Sequence, residues 1–507
     1  MTGSASNVTG SASNATAGRD ILRPLDDVKV RRFHWKTVLI SGMGFFTDAY
    51  DLFVIGVLVA MFVFYQPFSI PGTLVNIPFF GNVAPITGLG LLGASAIFGA
   101  AVGPFVFGRL GDLFGRKTIY GIEMLILVAG AILSSLAWSF AALIVFRIIL
   151  GIGIGGDYPM SSTIMSEYSN MKSRGRLVGT VFAMQGFGLL SGVVLGLGLL
   201  TVFPHSLDMV WRVLLAAGAV PAMAVYFWRR RLPETPRFTL HVKGNATESA
   251  RVVGNLTGVD VPADARAVRA SSGTYGDFLT RYWPLIVGTA VSWFLFDISF
   301  YGTGIYTPTL ISSLSLGYAT GLTPVQHLII AEEYTALIAI AFTIPGYWIA
   351  VALIDRAGRK TLQAVGFGVM AVAFVVLGLD SRLIALGAPF VVIYGLTFLF
   401  GNIGPNTTTF IVPTEVFPTQ YRGTGQGFAA GWGKIGAAIS ALFFGALIGI
   451  WGDAGMMLFL GLVASIGVLV TLVLIPETKQ RSLEETSGQS EELVVGAGHP
   501  SAVQPSH

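Results

Sequence analysis

No cysteine occurs in this chain of 507 residues, and only six histidines do. The first absence excludes disulfide scaffolds, thiolate metal sites and cysteine nucleophiles, and the second argues against a histidine-based metal or catalytic cluster. Charge is equally scarce. Asp, Glu, Lys and Arg together make 11% of the sequence while 53% is hydrophobic, whereas a soluble protein carries roughly a quarter charged residues. The composition is that of an integral membrane protein. Also missing are the Gly-x-x-x-x-Gly-Lys-Ser/Thr of an ATP-driven pump and any paired nucleophile and base. The expectation is therefore a protein that is not an enzyme and takes no cofactor and no metal. The net charge of +4 does not point to nucleic acid; in a bilayer, what matters is where Lys and Arg sit.

Apolar runs long enough to cross a hydrocarbon core of about 30 Å recur twelve times, near 38–64, 85–109, 118–137, 140–163, 176–203, 209–228, 284–312, 327–353, 361–379, 384–412, 424–450 and 454–475. They exceed strand length and do not alternate, so the predicted fold class is all-α, with twelve transmembrane helices. Gly151, Gly153, Gly155 and Gly156 form a face for close helix approach. Connections after even-numbered helices carry Arg109, Arg116 and Lys117, then Lys172, Arg174 and Arg176, then Arg229 to Arg231, and later Arg356, Arg359, Lys360, Arg422, Lys479 and Arg481. Those after odd-numbered helices hold only Arg212 and Arg382, and 66–84 contains neither Lys nor Arg. This asymmetry predicts a multi-pass protein of the plasma or inner membrane with both termini cytoplasmic. The predicted organisation is a disordered tail at 1–35, a six-helix half at 36–228, a cytoplasmic linker at 229–283 with one amphipathic helix around Phe238 to Val253, a second six-helix half at 284–478, and a disordered tail at 479–507.

An internal repeat supports two halves. Gly-Arg-Leu-Gly-Asp-Leu-Phe-Gly-Arg-Lys (108–117) recurs as Ala-Leu-Ile-Asp-Arg-Ala-Gly-Arg-Lys (352–360), with Asp112 and Asp355 243 residues apart. Pro-Glu-Thr at 233–235 recurs at 476–478, and Glu167 with Arg174-Gly175 recurs as Glu415 with Arg422-Gly423, offset by 248. Duplicated six-helix halves build a cavity between them near the midplane. Functional information should lie in polar residues within the spans, because a charge at a helix centre costs at least about 3 kcal/mol on insertion scales. Arg147 and Lys434 are the basic residues that read as deep. Asp48, Asp51, Glu123, Asp157 and Asp297 are the acidic ones, while Glu332 and Glu333, nearer a helix end, read as solvated. Trp293, Asp297 and Tyr301 fall at i, i+4 and i+8 and share one stripe. Arg147 and Asp157 stand about 15 Å apart along their helix, which suits members of one proton path better than direct partners.

The loop at 108–117 resembles the best-known motif of the major facilitator superfamily. That resemblance, covering about 36–480, implies that Asp112, Arg116, Asp355 and Arg359 gate conformation, each Asp facing a helix N-terminus. A narrower likeness rests on Gly-Gly-Asp-Tyr-Pro-Met-Ser-Ser-Thr-Ile-Met-Ser-Glu-Tyr (155–168), Thr-Asp-Ala-Tyr-Asp-Leu-Phe (47–53), Trp-Phe-Leu-Phe-Asp-Ile-Ser-Phe-Tyr-Gly (293–302), Pro-Gly-Tyr-Trp (345–348) and Gly-Pro-Asn-Thr-Thr-Thr-Phe (404–410). These are similar to the signatures of the phosphate:proton symporter family. The resemblance implies phosphate held by Tyr158, Gln185, Trp293, Asp297, Tyr301, Asn406 and Lys434, with Asp48 and Asp157 on the proton route. Asp51, Glu123, Arg147 and Asp297 complete the proton-coupling candidates. Trp432 stands where that family has a small residue, so it either crowds the pocket or faces lipid.

The residue chemistry agrees. A tetrahedral monoanion needs a fixed cation and several donors, and Asp297 beside it must either be protonated or accept from phosphate's own hydroxyl. The expected function is secondary import of inorganic phosphate with protons by a monomer in the lipid bilayer. The alternatives are proton-coupled uptake of an organic anion or phosphoester such as a glycerophosphodiester, and a phosphate-sensing membrane receptor.

Overall fold

The computed structural model describes residues 21–79, 82–261, 273–313 and 321–489. Among them are eleven helices long and apolar enough to cross a membrane. The last, Arg422–Leu474, is interrupted at Gly452, whose φ of 68° is non-helical, so it counts as two. The spans are thus twelve: span 1 Arg32–Phe62, span 2 Gly88–Phe114, span 3 Arg116–Ser135, span 4 Phe140–Tyr168, span 5 Arg174–Val202, span 6 Leu207–Arg229, span 7 Trp283–Ser313, span 8 Pro324–Ala357, span 9 Arg359–Leu379, span 10 Ala388–Val416, and spans 11 and 12 either side of Gly452.

Local chemistry sets where they start and stop. The Thr87 side chain accepts from Gly90 N and that of Ser139 from Ala142 N, capping spans 2 and 4, while Thr323 and Gln326 form a reciprocal capping box at span 8. Spans 2 and 3 part at Gly115 (φ 104°) and spans 8 and 9 at Gly358 (φ 96°). Both copies of the repeated loop therefore turn on a backbone geometry that glycine alone adopts cheaply. Within the first half, Gly151 packs so close to span 2 that a Cβ there would collide with the Ala96 carbonyl, and a Cβ on Gly153 would stand 2.6 Å from the Glu123 carbonyl of span 3.

Three segments differ from the sequence reading. The stretch around Phe238 to Val253 is two helices, Pro236–His241 and Ala246–Thr257, because Gly244 takes φ 66° between them. A third linker helix spans Tyr275–Arg281. The tails are ordered where they are described: residues 21–27 are helical, and Ile21, Leu22 and Leu25 pack on Leu240, Ala250 and Val253. At the other end Leu483–Thr486 is helical, and Glu484 pairs with Arg237, which also holds Asp26. Residues 1–20 and 490–507 lie outside the described residues. Between spans 1 and 2, Val75–Phe79 and Asn82–Ile86 form an antiparallel hairpin in which Val75 faces Ile86.

This tail and linker clasp lies outside the spans. Burial pushes the His241 imidazole pKa below its usual value. Burial works against ionised Glu484 too, but Arg237 outweighs it and holds that carboxyl down to about 2. Asp26 is raised by burial despite Arg237.

Candidate functional site

Lys434 on span 11 and the stripe on span 7 meet between the two halves. Lys434 Nζ donates to Asp297 Oδ2 at 2.9 Å and to the Tyr301 hydroxyl at 2.8 Å. The same ammonium lies over the ring of Tyr158, 4.6 Å from its centroid, and over that of Tyr301 at 4.2 Å. Tyr158 belongs to span 4, so the opposite half reaches the cation, and its hydroxyl stands 3.4 Å from that of Tyr301. Trp293 packs 5.9 Å from Tyr158, ring to ring. It fits because span 11 has Gly433 there: a Cβ would lie 2.5 Å from the indole ring. Trp432, next to it, is 44% exposed and lines the outer face of span 7 with Val287 and Leu295, so it faces lipid and leaves the site uncrowded.

The structure brings together Tyr158, Trp293, Asp297, Tyr301 and Lys434. Gln185 and Asn406 are also buried, but Asn406 is engaged elsewhere, donating to the Tyr347 hydroxyl at 2.8 Å and to Asn402 Oδ1 at 2.6 Å. The two asparagines sit on a widened, π-helical turn of span 10, Asn402–Asn406, a distortion frequent at functional sites. Tyr347 and Asn402 were missed from sequence, although the first lies in the Pro-Gly-Tyr-Trp motif and the second is four residues before Asn406. Phe45 and Phe410 pack edge-on against Tyr158, and Phe182 stacks on Phe410 with centroids 4.3 Å apart. Two spans of the first half and one of the second thus share an apolar floor.

The acids of the first half assemble differently from the expectation. Arg229, which read as part of a topogenic loop cluster, is fully buried at the end of span 6. Its Nη2 donates to Asp157 Oδ2 at 2.6 Å and its Nη1 to Glu123 Oε1 at 2.9 Å. Glu123 also accepts from Gly121 N, and Ser161 donates to Asp157. Span 1 comes close through Gly44, where a Cβ would collide with both Arg229 and Asp157; Asp48, one turn on, is fully buried. Arg147 does not join this group: it donates to the Asp51 carbonyl at 2.9 Å. Asp51 packs against Gly218 of span 6, where a Cβ would collide with it. Arg147 and Lys434 do lie within their spans, but depth is not the only route to burial: Arg116, Arg174, Arg229, Arg359 and Arg422, at helix ends, are fully buried too. A guanidinium can be fully enclosed at a helix end when carboxylates surround it, and run length alone does not show that.

At the end of the molecule that carries the tails, the repeats interlock. Asp112 accepts from Gly423 N at 3.0 Å and Thr424 N at 2.6 Å, in the first turn of span 11. Asp355 accepts from Gly175 N at 3.1 Å and Arg176 N at 2.8 Å, in the first turn of span 5. Each acid thus sits where the partial positive charge of the other half's helix favours it, paired with its own Arg116 at 3.1 Å or Arg359 at 3.0 Å. Behind them Glu167 holds Arg116 and Arg422, both at 3.1 Å, and Glu415 holds Arg359 and Arg174, both at 2.8 Å. Thr235 and Thr478, from the Pro-Glu-Thr copies, donate to Glu167 and Glu415. Among the described residues no group of three His, Asp or Glu side chains is placed to hold a metal ion.

Comparison with known proteins agrees with this architecture. A family model described as "Sugar (and other) transporter" matches residues 37–488. "Probable inorganic phosphate transporter 1-6" of Arabidopsis thaliana is 38% identical, over 93% of this chain and 96% of its own. "Inorganic phosphate transporter 1-4" of the same plant is 35% identical over the same shares. Among solved structures, the proton:xylose symporter XylE, of the major facilitator superfamily, superposes with a TM-score of 0.72 at 20% identity, over 89% of this chain and 98% of that one. The last likeness speaks for the fold alone.

Proposed function

Since the chain belongs to the sugar (and other) transporter family of the major facilitator superfamily, in its inorganic phosphate transporter branch, we propose that it imports inorganic phosphate with protons by alternating access, both termini lying in the cytoplasm. The observation that carries this reading is Lys434, a buried ammonium between the halves whose neighbours are one carboxylate and two phenols. An oxyanion arriving there gains a charge-assisted bond from Lys434 and donors from Tyr158, Tyr301 and Trp293. Gln185 supplies a further amide, and Asn406 does so on releasing the Tyr347 hydroxyl and Asn402 Oδ1. Asp297 then loses its counter-charge to the substrate. Two anions sharing one ammonium is unfavourable, so Asp297 takes up a proton or accepts the phosphate hydroxyl. In the first case proton and phosphate favour each other's binding by one coupling energy, and this loads both solutes together.

Arg229 with Asp157, Glu123 and Asp48 forms the second ionisable centre, on the proton route within the first half. Asp51 and Arg147 lie beside it. The clamp of Asp112, Arg116, Asp355 and Arg359 shuts the cytoplasmic side by holding each half to a helix end of the other. In this reading the protein works as a monomer, the clamp and both ionisable centres being completed by residues of one chain.

The test is uptake of labelled phosphate into proteoliposomes with an imposed pH gradient. Accumulation that collapses on adding a protonophore is expected. Saturable binding without flux would make the protein a receptor, and uptake indifferent to the gradient would remove the proton from the mechanism.

A further inference from the structure

Glu332 of span 8, which reads from sequence as a solvated residue near a helix end, is fully buried, and neither carboxylate oxygen meets a donor among the described residues. Its neighbour Glu333 is exposed. Glu332 faces a small cavity that both halves line: Phe53, Val57 and Val193 from the first, Thr307, Thr335 and Phe398 from the second. The cavity volume is about 20 Å³, room for roughly one water-sized occupant. Phosphate does not fit. The cavity lies toward the end opposite the tails, since Thr307 is ten residues, roughly 15 Å, beyond Asp297 along span 7. The halves are in close contact there, and a Cβ on Gly56 of span 1 would stand 3.0 Å from the Ile305 carbonyl of span 7.

Among the described residues, no cation answers this carboxylate from any element packed on it. Span 1 offers Phe53, Gly56 and Val57; its acids, Asp48 and Asp51, belong to the centres around Arg229 and Arg147. Span 5 offers Leu189 and Val193, and its arginines 174 and 176 are at the tail-bearing end. On span 7, Asp297 and Tyr301 are bound to Lys434, and the Tyr306 hydroxyl donates to the Ala441 carbonyl. On span 10 the Tyr394 hydroxyl is shared between Thr307 Oγ1 and the Thr303 carbonyl. Within span 8, His327 is five residues earlier, about 140° round the helix. The Thr335 hydroxyl donates to the Ala331 carbonyl and that of Thr307 to the Thr303 carbonyl, so these donors are committed to the backbone.

An ionised carboxylate enclosed without a counter-charge is strongly disfavoured in a bilayer protein. We propose that Glu332 is a proton site of the outer gate: the halves close over it on the side opposite the tails only when its carboxyl carries a proton. By linkage, any state that binds a proton more tightly is favoured as pH falls. Low external pH then drives this closure whether or not substrate is bound, and the proton is released when the face opens again. The transport reading supplies the direction, inward, but the linkage does not depend on phosphate being the cargo.

Because the chain has no cysteine, Val193→Cys provides a unique reporter that reacts only when the gate opens. Its labelling by a small thiol reagent is measured in substrate-free proteoliposomes from pH 5.5 to 8.5, alone and combined with Glu332→Gln, the isosteric neutral mimic. The ratio of the first rate to the second at each pH removes the thiol's ordinary ionisation, and the field of an ionised Glu332 on that thiol lowers the ratio, opposite to the effect of opening. The expected result is a ratio near one at low pH that rises by up to about tenfold per pH unit once Glu332 ionises. A ratio flat across the range overturns the proposal. A ratio that follows Na⁺ replaced by choline at fixed pH assigns the cavity to a metal cation and overturns it equally. Loss of phosphate transport with a pH-dependent ratio retained would sink the phosphate reading and leave the gate proton standing.

Discussion

Arg229 and Asp157, 72 positions apart in sequence, meet at 2.6 Å, and the same guanidinium reaches Glu123 at 2.9 Å. One cation therefore bridges two buried acids from different spans. Removing it should leave uncompensated charge in the core, which costs about 3–5 kcal/mol, so Arg229→Ala is expected to lower the melting temperature and the folded yield. Arg229→Lys keeps the charge but has no fork to bridge both acids. It should fold and bind phosphate within about twofold of the parent while accumulation falls by roughly tenfold. Equilibrium binding beside gradient-driven uptake separates the two effects.

Lys434 and Asp297 should fail in different ways. Lys434→Ala deletes the cation between the halves and should raise the KM for phosphate by roughly tenfold or more, the scale of one charge-assisted bond. Asp297→Asn keeps the shape and removes the proton exchange, so binding should survive while accumulation against a gradient stops. An Asp297→Asn protein that concentrated phosphate at the parent rate would show that coupling resides elsewhere.

Asp112→Ala or Asp355→Ala removes a helix cap, worth roughly 1–2 kcal/mol, and should shift the balance toward opening at the tail-bearing end about 5–30-fold. Reactivity of a single introduced cysteine on that side reports the shift. The order of preferred anions should not change, and a changed order would mean that these residues touch substrate.

Arsenate should compete with phosphate and sulfate should not. Near neutral pH phosphate and arsenate keep a hydroxyl to donate to Asp297, whereas sulfate is a dianion that only accepts; a buried acceptor left unpaired costs about 1–3 kcal/mol, more when charged. Uptake of labelled phosphate in mildly acidic buffer with excess of each anion decides this, strong inhibition by sulfate being the contrary result.

The clasp of tails and linker should loosen with acid. Burial lowers the His241 pKa beneath its usual 6.5, so the clasped state binds its proton less well than the open one. The stabilisation is complete above about pH 6.5 and is lost as pH falls from there through the lowered value. Glu484, held at about 2, stays ionised throughout that window, and Asp26, raised by burial, acts in the opposite sense. Protection from hydrogen exchange over residues 236–257, taken relative to the intrinsic rate at each pH, should therefore fall between pH 7 and 5, and less so in His241→Gln, which leaves the Asp26 contribution in place.

Much of this was legible in the sequence because it depends on period and spacing. Apolar run length set the spans, and the 243- and 248-residue offsets paired Asp112 with Asp355 and Glu167 with Glu415. The Trp293, Asp297 and Tyr301 stripe follows from helical geometry, and Lys434, named with it from the resemblance, meets it from span 11. Contacts between distant helix ends were not legible. Nothing local to Arg229 distinguishes it from Arg230 and Arg231, and only the fold shows Glu123 and Asp157 waiting for it. Glu332 was misplaced for the same reason: depth along a helix was readable, but which face the other half would cover was not. The hairpin at Val75–Phe79 and Asn82–Ile86 and the break at Gly244 were hidden by short length and weak pattern.

The crossed caps at Asp112 and Asp355 also bear on how the chain assembles during synthesis. The first half emerges with Asp355's target, the start of span 5, still bare, and with Arg174 lacking Glu415. Its own Asp112 has only Arg116, and its Glu167 lacks Arg422, until span 11 is made. Neither half can complete its ends alone. Final locking therefore waits for the last sixth of the polypeptide, and a chain stopped before Arg422 would carry open helix ends and mismatched buried charges that membrane quality control can recognise.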